Sequence, residues 1–377
     1  MTTPGMISAG RGRYALAKWR FFLADAILGL AVLAFFQFFL ARVLYLPIVS
    51  LTSNYALRAF LFGTILWAFL YVVMFPIKVA ESFLLERGFG LSTQTFKAWA
   101  ADEAKGTALS FLLWTASVII FYVLLRVLPV LWWVAAATLW VVFSIVLARL
   151  FPLIIIPIFF KYMPIGDADL KKGIVELSDK AGIKLMDVCE IDLSRKSNKA
   201  NAALIGLGKS RKVIMADTLV RKFTRPEAMT VVAHEFGHHR FGHIWMLLGA
   251  SAFLTYAAFF LVNVLSPRIA AAVGSDGIQD IYMLPALVLL ASAAGLMVSP
   301  FINWFSRALE RQADRYAIEL TEEPEVFVSV MKKLASMNQA EPDPPLVRKI
   351  MIYDHPPISE RIRMAEGMMK PGRLISS

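Results

Sequence analysis

The chain has 377 residues, 58% of them hydrophobic, a formal net charge of +11 and a mean hydropathy of +0.61. Such a composition is too apolar for a soluble globular domain and calls for several membrane crossings. The basic excess comes without cations and aromatics interleaved in a nucleic-acid-binding module, and it suits a membrane protein whose Lys and Arg collect on the cytoplasmic side. A single cysteine, Cys189, excludes an intrachain disulfide framework and leaves histidine and carboxylate as metal ligands.

Residues 1–20 form a basic N-terminal segment with Arg11, Arg13, Lys18 and Arg20. The apolar run that follows is longer than the core of a cleavable signal, and no small-residue cleavage site follows it. Residues 21–160 read as a membrane domain of four spans, at 21–46, 59–77, 107–127 and 130–160. Between the second and third, residues 78–106 are mixed and charged and read as a cytoplasmic loop with some helix. Soluble composition begins at Lys161. Residues 167–181 have the pattern of an amphipathic helix and 187–193 that of a short strand. Residues 200–205 and 211–216 read as two strands joined by the glycine turn 206–210. Thr224-Arg225-Pro226-Glu227 is a capping-box sequence that starts a helix. Residues 244–265 and 281–304 read as the fifth and sixth spans, with a polar loop between them. Residues 306–320 are helical and charged, and a C-terminal segment follows.

The helix announced by the capping box carries His234-Glu235-Phe236-Gly237-His238. Four residues apart, His234 and His238 project from one helix face and can grip one metal ion. Glu235 lies beside that face, within reach of a water on the metal. This H-E-x-x-H arrangement reads as a zinc hydrolase site. The chain has 5 histidines, and four of them are His234, His238, His239 and His243. His239 and His243 are also four apart, but Arg240 stands where an acid would be needed. The ligands are therefore assigned to His234 and His238, and His239 and His243 to a solvated or interfacial helix end. A catalytic zinc takes three protein ligands and leaves one position for water. Glu310, just past the sixth span, is the candidate third ligand. Asp314, one turn on, would orient a ligand histidine by accepting its second ring proton. The same two acids read equally well as exposed partners of Arg307, Arg311 and Arg315.

His234-Glu235-x-x-His238 with Glu310-x-x-Ala313-Asp314 resembles the type I CAAX prenyl protease family, integral-membrane zinc endopeptidases of the gluzincin type. Glu86-Arg87-Gly88-Phe89-Gly90-Leu91-Ser92, Pro152-Leu153-Ile154-Ile155-Ile156-Pro157, Ser197-Asn198-Lys199-Ala200-Asn201-Ala202, Asp217-Thr218-Leu219 and His355-Pro356-Pro357-x-x-x-Arg361-Ile362 resemble further segments of that family in the same order. The likeness runs from about residue 21 to 363. One difference stands out: members that process prenylated proteins carry an additional early span and a longer C-terminal part.

The resemblance implies one Zn2+ per chain on His234, His238 and Glu310, with Glu235 as the catalytic base. It implies His355 and Arg361 as donors to the tetrahedral oxyanion, although the same segment also reads as a structural turn. It places Asn201 and Ala202 on a substrate-binding strand, where an extended peptide adds itself by backbone hydrogen bonds. The expected fold is mostly α: a polytopic membrane protein with about six transmembrane helices and a cytoplasmic-side α+β zincin-like metalloprotease domain. That domain would be assembled from residues 161–243 and 305–377, split by the two spans of 244–304. The expected partners are the lipid bilayer and a peptide or protein substrate, membrane-anchored or prenylated, and no nucleic acid. Both termini and the site are expected on the cytoplasmic side, of a bacterial inner membrane or of the endoplasmic reticulum alike. Two rival readings remain at this level: a quality-control protease without prenyl specificity, and a transporter or channel with a structural zinc. Glu235 would have no purpose in the latter, and no paired broken helices suggest a transport repeat.

Overall fold

A computed structural model describes residues 4–206 and 211–369. Among the described residues, six helical segments are long and apolar enough to cross a membrane: Gly10–Leu51, Tyr55–Gly88, Phe96–Val127, Trp132–Phe159, His243–Val273 and Ile281–Thr321. The expected number of spans is met; the fourth segment lies within its apolar stretch, and the other five outrun theirs. The first helix already starts at Pro4, inside the basic segment. Most of 78–106, expected as a loop, is helix: the second segment continues to Gly88, the third starts at Phe96, and only 89–95 connects them. The fifth helix runs on to Val273, where Gly274 stops it at φ 70. A glycine tolerates that left-handed conformation without a Cβ clash.

The sixth segment matters most for function. Its last span and the charged stretch after it form one unbroken helix, Leu284–Thr321, of 38 residues. At 1.5 Å per residue it is about 57 Å long, against about 30 Å of hydrocarbon. Its C-terminal part must therefore stand outside the bilayer, and that part carries Glu310 and Asp314. Within the membrane bundle, Phe36, Phe62, Leu66, Tyr122 and Leu125 are fully buried. Two polar contacts pin the bundle: Trp114 Nε1 donates to the Gly63 carbonyl at 2.9 Å, and the Ala286 amide donates to Gln37 Oε1 at 2.9 Å. In hydrocarbon such groups have no water to turn to.

The soluble part is built on a four-stranded sheet, β1 (Tyr162–Pro164), β2 (Asp187–Ile191), β3 (Ala202–Ile205) and β4 (Lys212–Ala216), in the order β1-β2-β4-β3. β2 and β4 are parallel; β1–β2 and β3–β4 are antiparallel. The expected β3–β4 pairing is present, while turn residues 207–210 lie outside the described residues. β3 is an edge strand. Helix Ala168–Lys180 begins where Asp167 Oδ1 accepts the Leu170 amide at 2.9 Å. It packs Ile174 and Leu177 into a core with Val188, Val213, Val232 and Phe236.

The helix with the two histidines, hereafter the metal helix, spans Arg225–Arg240. Its capping box is formed: the Thr224 amide donates to Glu227 Oε2 at 2.8 Å. Glu227 also accepts from Ser329 Oγ at 2.7 Å and from Lys333, which ties the helix start to helix Pro324–Met337. Farther along, the metal helix crosses Leu284–Thr321 with no side chain between them. A Cβ placed on Gly237 would lie 2.9 Å from Ala313 Cα and 3.2 Å from its carbonyl oxygen. Gly237 falls between His234 and His238, and Ala313 between Glu310 and Asp314, so the closest point of the crossing is also where the ligands meet. Gly237→Ala is therefore expected to cost about 1–3 kcal/mol through overpacking against backbone and to lower zinc affinity by moving one ligand pair from the other. A thermal midpoint and a chelator-competition affinity both equal to wild type would contradict this account of the crossing.

Candidate metal centre

The two helices bring three side chains to one point. The Nε2 atoms of His234 and His238 lie 3.1 Å apart. His234 Nε2 is 3.2 Å from Glu310 Oε2, and His238 Nε2 is 3.2 Å from Glu310 Oε1. These three residues form a group able to hold a metal ion. Ligand atoms held at about 2.0–2.2 Å around a tetrahedral zinc stand roughly 3.3 Å from one another, and the separations here match that spacing. Glu310 is buried, and its Oε2 has no hydrogen-bond donor. A buried carboxylate oxygen without a donor carries a large desolvation penalty, and a cation at this point removes it. The donor set, two imidazoles and one carboxylate, is the chemistry of a catalytic zinc site with an open position.

Asp314 is completely buried, and its Oδ1 lies 2.9 Å from His234 Nδ1 without the alignment of a linear hydrogen bond. Arg361, on helix Ile358–Gly367, donates from Nε to Asp314 Oδ2 at 2.8 Å and from Nη2 to Oδ1. The acids expected as possible surface partners of neighbouring arginines thus point inward. Arg311 and Arg315 are exposed, but Arg307 is buried and donates through Nη1 to the Lys349 and Tyr353 carbonyls. Asn303, one turn earlier, donates to the Met351 carbonyl at 2.8 Å. These contacts hold the turn that delivers His355, whose Nε2 reaches to 3.4 Å from Glu310 Oε2 and whose Nδ1 is 2.8 Å from Asp354. Neither Asn303 nor Arg307 stood out in the sequence, because nothing there says which face of a charged helix is covered.

A cavity of about 330 Å3 opens beside this cluster, lined by Asn201, Ala202, His234, Glu235, His355 and Arg361 among others. All the residues expected at a site thus border one cavity or the metal cluster. Loss of hydration pushes the Glu235 carboxyl up from its usual range, while the nearby His234 and His238 pull it down. A carboxylate raised in this way is a better proton acceptor, as a general base must be. The far wall of the cavity is apolar, with Phe327, Val330, Met331 and Leu334.

One assignment is corrected. His243 is not a solvated or interfacial helix end: it is 1% exposed and its Nδ1 lies 2.9 Å from His238 Nδ1. The left-handed Gly242, at φ 69, breaks the helix and turns His243 back onto the ligand. That glycine was the signal available in the sequence. His239 is half-buried.

Glu310→Gln is expected to reduce zinc affinity by more than the roughly 10- to 100-fold typical of an outer-sphere partner, and Asp314→Asn by an amount within that range. Metal content after dialysis and competition with a chelator check both; an unchanged Glu310→Gln affinity removes Glu310 from the ligand set.

Residues 164–369 match the model described as peptidase family M48, and residues 10–161 match that described as CAAX prenyl protease N-terminal, five membrane helices. Four of the six membrane-capable segments fall within 10–161. A Bacillus subtilis protein called uncharacterized metalloprotease YhfN is 35% identical over 282 residues, which are 74% of this chain and 66% of that protein. The CAAX prenyl protease 1 homolog of Arabidopsis thaliana is 28% identical over 323 residues, 82% of this chain and 73% of that one. The crystal structure of S. mikatae Ste24p superposes with a TM-score of 0.86 at 23% identity, over 97% of this chain and 90% of that chain, and so has the same fold. The matched regions thus cover about two thirds to three quarters of these two relatives' length. With more than half its length matched by the peptidase model, the chain belongs to peptidase family M48, a zinc-metalloprotease family, in an integral-membrane form.

Proposed function

We propose that the protein is a zinc endopeptidase that cuts membrane-anchored peptides at the cytoplasmic face of its membrane. The observation that carries this reading is the convergence of His234, His238 and Glu310 beside Glu235, at the mouth of a cavity bordered by an edge strand. When bound, zinc supplies a Lewis acid for the scissile carbonyl and lowers the pKa of water towards neutrality. Glu235 takes the proton of the attacking water and gives it to the leaving nitrogen as the C–N bond breaks. His355 donates to the oxyanion from Nε2 in its doubly protonated form, its Nδ1 proton being held by Asp354. Arg361 spends two of its five donors on Asp314, so its contribution there is through the remaining N–H groups and through the fixed position of Asp314. Asp314 in turn holds the His234 ring.

The substrate enters as an extended strand alongside β3, with Asn201 and Ala202 at the contact, and its side chains project into the cavity. A basic N-terminal segment on the side of the soluble domain supports a cytoplasmic site. The relatives called CAAX prenyl protease support a prenylated substrate.

Glu235→Gln should keep zinc stoichiometry and lower peptide hydrolysis by at least roughly 10²–10⁴-fold, the usual share of a general base. Wild-type turnover by that variant would sink the mechanism. Incubation of the zinc-loaded protein with a farnesylated CAAX peptide and its unprenylated twin, followed by mass spectrometry, tests the substrate class. Faster cleavage of the farnesylated peptide is expected, and equal rates would transfer the assignment to quality control.

A further inference from the structure

His243 is a buried ring that the proposed reaction does not use. It is the first residue of helix His243–Val273, and it is reached only through the break at Gly242. Had the metal helix continued unbroken, residue 243 would sit about 140° around the axis from His238, on another face. The left-handed glycine instead folds it back, and its Nδ1 comes to 2.9 Å from His238 Nδ1. Its other nitrogen, Nε2, is 3.0 Å from Gln312 Oε1, on the same helix as Glu310. The Phe241 ring lies nearly parallel to it, with 5.8 Å between centroids and 20° between planes.

Donor and acceptor parity fixes the direction of this chain. His238 Nε2 faces His234 and Glu310 and can be a metal ligand only without a proton. Neutral His238 then carries its proton on Nδ1 and donates it to His243 Nδ1. His243 must in turn keep its own proton on Nε2 and donate to Gln312 Oε1, an atom that only accepts. Each link has one donor and one acceptor. Reversing the chain would put a proton on His238 Nε2, where it would block the metal, and would need the Gln312 amide nitrogen to face His243.

We propose that His243, oriented by Gln312, is the positioning residue that fixes His238 in its metal-binding tautomer. It is the counterpart on His238 of Asp314 on His234. The two partners differ in charge, and the difference has a reason. Glu310, Glu235 and Asp314 already place three carboxyl groups around this centre, with Arg361 close to one of them. A fourth carboxylate behind His238 would have no buried cation to pair with, and a neutral imidazole accepts the proton without adding charge. The inference rests on the zinc reading of His234, His238 and Glu310.

The test compares zinc affinity, by competition with a chelator, in His243→Phe, His243→Asn, Gln312→Met and Glu310→Gln, each as the full-length protein in detergent. Phe keeps the ring and its contact with Phe241 but removes the acceptor. Asn places an oxygen where Nδ1 stood. His243→Phe should weaken zinc binding about 10- to 100-fold, as loss of an outer-sphere histidine partner does. His243→Asn should stay within about threefold of wild type because the acceptor is retained. Gln312→Met, at an exposed position, should show a smaller loss in the same direction. Wild-type affinity in both His243→Phe and Gln312→Met overturns the proposal. So does a loss in His243→Asn as large as that in His243→Phe, because the retained acceptor would then have rescued nothing. Glu310→Gln separates the two levels: if that variant binds zinc like wild type, it is the ligand assignment that fails.

Discussion

The structure depends on one close crossing, that of Gly237 on the metal helix against Ala313 on the last membrane helix. Two helices whose backbones touch can bring short side chains from both to a single point, and the ligand atoms here are 3.1–3.2 Å apart. A larger residue at either position would open the gap by a fraction of a side chain, and a tetrahedral ion cannot follow such a displacement. The crossing also fixes the centre relative to the bilayer. Leu284–Thr321 is one continuous helix, with Pro300 inside it, so the depth of its apolar half in the membrane sets the height at which Glu310 is offered.

Around this crossing, buried charge is paired. Asp314 has no exposed surface and is matched by Arg361 through two hydrogen bonds and by His234 on its other side. Breaking a buried pair by removing one partner is far more damaging than its net contribution suggests, because the remaining charge is stranded. The C-terminal segment is thereby committed to the site: Arg361 locks it to Asp314, and Arg307 and Asn303 grip the turn before His355. A residue at the far end of the chain is in this way held over the cavity by the same helix that supplies the third ligand.

The membrane domain contributes to the soluble one as well. The short connection 89–95 is hydrogen-bonded to the loop ahead of β3: the Asn198 amide donates to the Leu91 carbonyl at 2.9 Å, and the Thr93 amide to the Lys196 carbonyl at 3.1 Å. Lys196 pairs with Asp102 at 2.6 Å and Lys199 with Glu86 at 2.8 Å. The edge strand is therefore braced from the membrane side, while its free edge borders the cavity. Under the proposed function this bracing would favour an extended substrate, because ordering the strand in advance removes an entropic cost of binding.

Much of this was legible in the amino-acid order, and the physical reason is locality. Apolar runs longer than the hydrocarbon is thick can only be spans. Thr224 and Glu227 fix a helix start three residues apart, and H-E-x-x-H puts two imidazoles on one face whatever surrounds them. Hydropathy did not mark where the membrane helices end, because a helix leaving the bilayer keeps its backbone hydrogen bonds and simply changes its side chains; residues 78–88 and 305–321 are the cases in point. The inward turn of Arg307, the pairing of Arg361 with Asp314 and the burial of His243 against His238 belong to a different class. Each joins residues on separate helices, and its energy exists only once those helices have packed. The sequence alone determined the spans, the metal pair on its helix and the chemistry to look for. Only the tertiary structure decided which charges face inward, because that choice depends on which surfaces are left to meet water after the helices have crossed.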